Sequence, residues 1–182
     1  MFRHATRAVV GCAALLLLAA PTARAQWSPS FVAKAGATIP IGDFGEVTSL
    51  GYNVGVGAEF TKPATALGFR LELDFHENSL DEDVFGESDI KWRHIAGIAN
   101  LTYQQPTSNL FLIGGVGVYR GYLSDVDASD DTNFGLNGGI GYRFNLTGFS
   151  TFIEARFHHL FNDNEAVDAK TQFIPISFGV RF

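Results

Sequence analysis

The chain has 182 residues, a formal net charge of −6, 20 glycines, 17 phenylalanines and a single cysteine. That length suits one domain, and the acidic balance argues against a nucleic-acid partner, which calls for basic patches. The lone Cys12 leaves no pair for a disulfide and no cluster for a thiolate metal site.

The first residues predict export. Arg3 and Arg7 precede the apolar run Val9–Ala20, and Ala23-Arg24-Ala25 ends in a small-x-small pattern. Together these predict a signal peptide over residues 1–25, cleaved after Ala25. The run is shorter than the ~20 apolar residues that a membrane-spanning helix needs. Loss of Arg3, Arg7 and Arg24 with no acid would take the charge from −6 to −9 and remove the only cysteine. The expected mature domain is 26–182. It contains no second long apolar run, which excludes a helical membrane protein.

Successive side chains of a strand point to opposite faces, so alternation is the signal to follow. After a short lead-in with Trp27, a first strand is predicted over Phe31–Thr38, with Phe31, Ala33, Ala35 and Ala37 opposite Lys34, Gly36 and Thr38. Ile39–Leu50, with Pro40, Gly42, Asp43 and Gly45, predicts a loop. In Gly51–Thr61 the row Tyr52, Val54, Val56, Ala58, Phe60 alternates with Asn53, Gly55, Gly57, Glu59, Thr61. A short turn, 62–65, follows.

Ala66–Asn78 alternates most cleanly: Phe69, Leu71, Leu73 and Phe75 oppose Arg70, Glu72, Asp74 and His76. The acidic segment Ser79–Asp89 separates it from a fourth strand, Ile90–Gln104. There Ile98 falls on the row of Trp92, His94, Asn100 and Thr102 and blurs the pattern. A turn around Pro106 leads to Asn109–Tyr122, blurred by Phe111 and Ile113. A second acidic loop, Leu123–Asp131, precedes Thr132–Phe144. After the turn 145–149, Ser150–Leu160 sets Ile153, Ala155 and Phe157 against Glu154, Arg156 and His158. The loop Phe161–Ala169 leads to the last strand, Lys170–Phe182. Its row Ile174, Ile176, Phe178, Val180, Phe182 stays apolar to the final residue.

Eight strands, joined alternately by long and short connections, predict an all-β, closed, eight-stranded antiparallel up-and-down transmembrane β-barrel. Membrane barrels combine an even strand number with short turns at the periplasmic end and longer loops outside. The polar row carries many glycines, which suits the crowded interior of a small barrel. Charges on the lipid side would be costly, at roughly 2–4 kcal/mol for a basic residue at the midplane. The apolar row is therefore expected to face lipid, with Tyr52, Phe60, Tyr103, Tyr122, Phe134, Phe144 and Phe161 in two interfacial girdles.

Three segments carry a family resemblance: AGATIPIGDF (Ala35–Phe44), FLIGGVGVYRGY (Phe111–Tyr122) and ISFGVRF (Ile176–Phe182). The chain resembles the small eight-stranded outer-membrane β-barrel family of the OmpA/OmpX type over Ser30–Phe182. The resemblance implies residence in the bacterial outer membrane, among phospholipid and lipopolysaccharide. It also implies a C-terminal insertion signal, Phe178, Val180 and Phe182, read by the outer-membrane assembly machinery. A monomer is expected.

An eight-stranded interior is just wide enough for side chains. Lys34, Arg70, Arg143, Arg156 and Arg181 with Glu59, Glu72, Asp74 and Glu154 are expected to form a structural lumen network, because an isolated buried charge is very costly. The expected role is structural or surface-interacting, with acidic extracellular loops. One alternative is a narrow channel for small ions or solutes, gated by His76, His94 or His158. Another is a soluble periplasmic ligand-binding barrel. A third is a lipid-modifying enzyme, for which resemblance to the lipid A deacylases would require a His and Ser pair near one barrel end. No His-x-Ser triplet occurs, so no catalytic residue is assigned. The Asp125/Asp127 run lacks calcium-loop spacing and a closing Glu, so no metal or cofactor is expected.

Overall fold

The computed structural model describes residues 27–62, 65–81, 90–124, 131–161 and 170–182. The expected leader and most of the acidic runs, at 82–89, 125–130 and 162–169, lie outside them. The strands are β1 (Ser28–Ile41), β2 (Thr48–Thr61), β3 (Leu67–Leu80), β4 (Lys91–Gln104), β5 (Leu110–Leu123), β6 (Asp131–Asn145), β7 (Ser150–Phe161) and β8 (Thr171–Arg181). Each pairs antiparallel with the next, and β1 pairs with β8, closing a barrel. A tilted strand needs about 9–11 residues to span a bilayer. The 14 residues of β1 to β5 therefore carry the strand ends past the apolar zone.

The faces follow the alternation. Leu71 is 45% exposed and Leu73 64%, while Arg70 is fully buried and Glu72 and Asp74 nearly so. This polarity overturns the soluble-barrel alternative, whose apolar row would lie inside. The exposed aromatics gather near both ends of the cylinder. Phe31 and Phe182 pair on the short-turn side, with ring centroids 6.2 Å apart, as do Tyr142 and Phe144 at 4.8 Å. Tyr52–Phe75 and Phe134–Phe161 lie on the long-loop side, at 6.1 and 6.4 Å.

Two sequence expectations need correction. The segment Ile39–Leu50 is mostly not loop. β1 runs to Ile41 and β2 starts at Thr48, with a single helical turn, α1 (Asp43–Val47), between them. Gly42, at φ 58°, turns the chain into α1 in a backbone region that glycine enters without strain. Phe44 of α1 then points into the barrel and is buried, and Thr48 Oγ1 donates to the Phe44 carbonyl at 2.6 Å. The segment is therefore in part a stopper. The second correction concerns the inner row, which is not uniformly polar: Val32, Ala96, Ile98, Phe111, Ile113, Phe152 and Phe173 are all buried inside.

Glycine makes room for those inner rings. A Cβ at Gly141 would collide with the Phe111 ring and one at Gly179 with the Phe152 ring. Gly36 lies at the closing seam, opposite Ser177, where a Cβ would collide with the Ile176 carbonyl. Gly36→Ala is expected to pry β1 from β8 and destabilise the barrel by about 1–3 kcal/mol, the usual cost of overpacking. Urea unfolding from lipid vesicles measures it; an unchanged midpoint would show that the seam has slack.

Candidate functional site

The interior is the part of the described molecule where charge concentrates. β1, β2, β3, β6, β7 and β8 all send charged side chains into it, because every second residue of a strand must point inward. Glu59 of β2 takes three guanidinium groups. Arg70 Nη2 lies at 2.7 Å, Arg181 Nε at 3.0 Å and Arg143 Nη2 at 3.1 Å. Arg70 also donates from Nη1 to Glu154 Oε2 at 2.9 Å.

A second knot lies further in. Lys34 Nζ donates to Glu72 Oε1 at 2.8 Å, to Asp74 Oδ2 at 2.9 Å and to Glu154 Oε1 at 3.4 Å. Arg156 lies across the same carboxylates: Nη1 is 2.8 Å from Glu72 Oε2, and Nη2 is 3.0 Å from Glu154 Oε1 and 3.3 Å from Asp74 Oδ2. Asn100 Nδ2 donates to Glu72 Oε2 at 2.6 Å. Every charged residue singled out in the sequence for the interior is thus joined in one continuous set of ion pairs. Lys34, Arg70, Arg143, Arg156 and Arg181 against Glu59, Glu72, Asp74 and Glu154 leave one base in excess.

Apolar side chains pack beside this knot on the short-turn side and across its end on the long-loop side. On the short-turn side, Val32, Phe111, Ile113 and Phe152 cluster. The Arg70 guanidinium lies 5.2 Å from the Phe152 ring centre and 5.6 Å from that of Phe111, close enough for cation–π attraction. On the long-loop side, Phe44, Ala96, Ile98, Tyr119, Leu160 and Phe173 cluster, with Trp92 packed against them.

The three inner histidines belong to that second layer. His158 stacks on Phe173, with centroids 4.9 Å apart, and His76 and His94 pack on the same ring at 5.0 and 5.7 Å. One ring nitrogen of each meets a hydrogen-bonding group: Thr38 Oγ1 lies 3.1 Å from His76 Nδ1, and the Tyr119 hydroxyl 2.9 Å from His158 Nδ1. Trp92 Nε1 donates to His94 Nε2 at 2.7 Å. Among the described residues, no group of three or more His, Cys, Asp or Glu side chains is arranged to hold a metal ion.

Reading by row misses one member of this interior and the partners of another. Phe44 is hidden in a segment that reads as loop. Asn53 accepts a hydrogen bond from Ser177 Oγ at 2.7 Å and donates to the Ala37 carbonyl at 3.0 Å, tying β2 across β1 to β8. Its inward position is legible in the sequence but its partners are not. On the outer surface, Phe178 and Phe182 are exposed and Val180 is half-buried. Glu77 of β3 pairs on the outward row with Lys91 and Arg93 of β4, at 3.0 and 2.7 Å.

Comparison with known proteins gives one family and several structures of the same fold. Residues 10–182 match the family model described as outer membrane protein beta-barrel domain. Among solved structures, Neisserial surface protein A shares the fold with a TM-score of 0.61 at 16% identity, over 85% of this chain and 97% of that one. The Yersinia pestis outer membrane protein Ail aligns with a TM-score of 0.54 at 15% identity, over 85% and 99% of the two chains. A major outer membrane protein from Thermus thermophilus gives 0.54 at 15% identity, over 85% and 98%. No curated protein matches the sequence.

Proposed function

This chain belongs to the outer membrane protein beta-barrel domain family, and from that premise we propose that it is a non-conducting structural barrel that presents its long loops for contact at the cell surface. It resides in the bacterial outer membrane, as the family and the shared fold require. The observation that carries the proposal is the filled interior: one ion-paired knot from Arg181 to Arg156, with aromatic side chains packed beside its short-turn part and across its long-loop end. A continuous water path would have to break ion pairs that are almost wholly buried, and removing one partner of such a pair costs about 3–5 kcal/mol.

The lumen network then acts as a plug and as a register lock, because its partners lie on strands far apart in sequence. Residues 1–25 serve as the cleaved export signal. Phe178, Val180 and Phe182 serve as the signal by which the assembly machinery recognises the last strand. The barrel works as a monomer in contact with phospholipid and lipopolysaccharide. One protein of this fold is named for attachment and invasion, which is in keeping with a surface-contact role but does not carry it here.

Planar-bilayer recording is the test. Purified, refolded protein is expected to give no discrete current steps. Reproducible single-channel openings would replace this reading with a conducting one, in which the histidine layer would be the first place to look for a gate.

A further inference from the structure

The ion-paired knot is not evenly balanced along the barrel. Around Lys34 and Arg156, the carboxylates Glu72, Asp74 and Glu154 match or exceed the bases. At the short-turn mouth the balance reverses. Arg143 and Arg181 share a single carboxylate, Glu59, that Arg70 already grips. Neither has another acidic partner among the described residues; the remaining contact of Arg181 is a weak hydrogen bond to Thr61 Oγ1 at 3.4 Å.

A cavity of about 200 Å³ opens at this mouth, lined among others by Glu59, Lys62, Thr102, Gln104, Arg143 and Arg181. A buried water needs only about 10–15 Å³ of such volume, so a small hydrated oxyanion has room. Arg143 is 8% exposed, and its Nε has no hydrogen-bond partner in the structure. Phe111 lies 5.3 Å from the Arg143 guanidinium and supports it from one side. A buried donor left without an acceptor is unfavourable, and surplus positive charge in a half-enclosed mouth is unfavourable too. One ligand chemistry relieves both.

We propose that the short-turn mouth binds a phosphate oxyanion, held by the Arg143 and Arg181 guanidinium groups and by Lys62 at the rim. Guanidinium forks match the planar spacing of phosphate oxygens, and the lysine adds a point charge. In a barrel of this kind the short turns lie at the periplasmic end. The phosphate there comes either from free phosphate in the periplasm or from an inner-leaflet phospholipid headgroup. The proposal goes beyond the structural reading above and does not depend on it, since a non-conducting barrel and a conducting one could both carry the site.

The experiment uses the full refolded chain in phosphate-free maltoside micelles, with the arginine Nε–H resonances followed by NMR. Sodium phosphate is titrated in one arm and sodium chloride at matched ionic strength in another. Mixed micelles containing phosphatidylglycerol, or diacylglycerol as the phosphate-free control, form a third arm. Saturable shifts of the Arg143 and Arg181 signals with phosphate but not chloride are expected. Saturation at lower concentration by phosphatidylglycerol, with diacylglycerol silent, assigns the site to a headgroup; saturation by phosphate alone assigns it to the free ion.

Lys62→Gln, at a half-buried position just past β2 and outside the ion-paired knot, is expected to weaken phosphate binding roughly tenfold, the size of one charge-assisted hydrogen bond. Arg143→Gln should abolish it. If Arg143→Gln fails to fold, Lys62→Gln still decides. Equal responses to phosphate and chloride, or unaltered affinity in Lys62→Gln, overturn the proposal.

Discussion

Replacing Arg70 with methionine is expected to be the most damaging single change in the barrel. Arg70 is fully buried and bridges Glu59 at 2.7 Å to Glu154 at 2.9 Å, so its loss unties the mouth from the middle of the knot. Methionine fills similar volume, and what remains is an electrostatic deficit: two carboxylates lose their shared cation in a dry interior. Removing one member of a buried pair costs about 3–5 kcal/mol, whereas removing both is often close to neutral. With urea slopes of about 1–3 kcal/mol per molar, the unfolding midpoint in phosphatidylcholine vesicles should fall by about 1 M or more. The double variant Arg70→Met with Glu154→Gln should recover part of that loss. If the double variant were as unstable as the sum of its parts, Arg70 would matter for its shape and not its charge.

The second large effect comes from the opposite face of the same strand. Leu71 is 45% exposed near the middle of β3, between Ala58 and Ala99 on the neighbouring strands, where lipid tails touch it. Leu71→Arg places a cation near the midplane at roughly 2–4 kcal/mol, against a total stability of about 5–15 kcal/mol for a typical domain. The folded fraction, read as the shift in gel mobility between heated and unheated samples, should drop sharply. Lys62→Ala, on the turn, should leave it unaltered. Equal losses in the two variants would contradict the assignment of faces.

The faces are readable in the sequence because lipid enforces them. Leu71, Leu73 and Phe69 meet hydrocarbon, Arg70, Glu72 and Asp74 cannot, and the period of two makes the difference visible in one dimension. The inner row is harder, because nothing forbids an apolar side chain from facing inward. Phe111, Ile113 and Ile98 therefore look like noise in their strands, although they build the two apolar layers.

Partner choice is not readable at all. Glu59 meets Arg143 across 84 positions of sequence, and which side chains meet across a barrel depends on its shear and tilt, properties of the whole cylinder. Phe44 escapes for a local reason: Pro40, Gly42 and Gly45 around it signal a turn, and a turn signal says nothing about where its one aromatic will go. The nearby Gly51–Thr61 shows the contrast. Simple counting places Asn53, Gly55 and Glu59 inward.

Lys34 belongs to β1, yet it touches Glu154 of β7, 120 positions later. The first four strands hold three carboxylates of this knot, Glu59, Glu72 and Asp74, but only two of its bases, Lys34 and Arg70. A growing sheet of three or four strands would hold Glu72 and Asp74 of β3 without Arg156, and the loop entropy of bringing the two together is met only late. Assembly should therefore be a single concerted event, with sluggish kinetics and no stable half-cylinder, and chains stopped before β7 should remain unfolded, not insert as fragments.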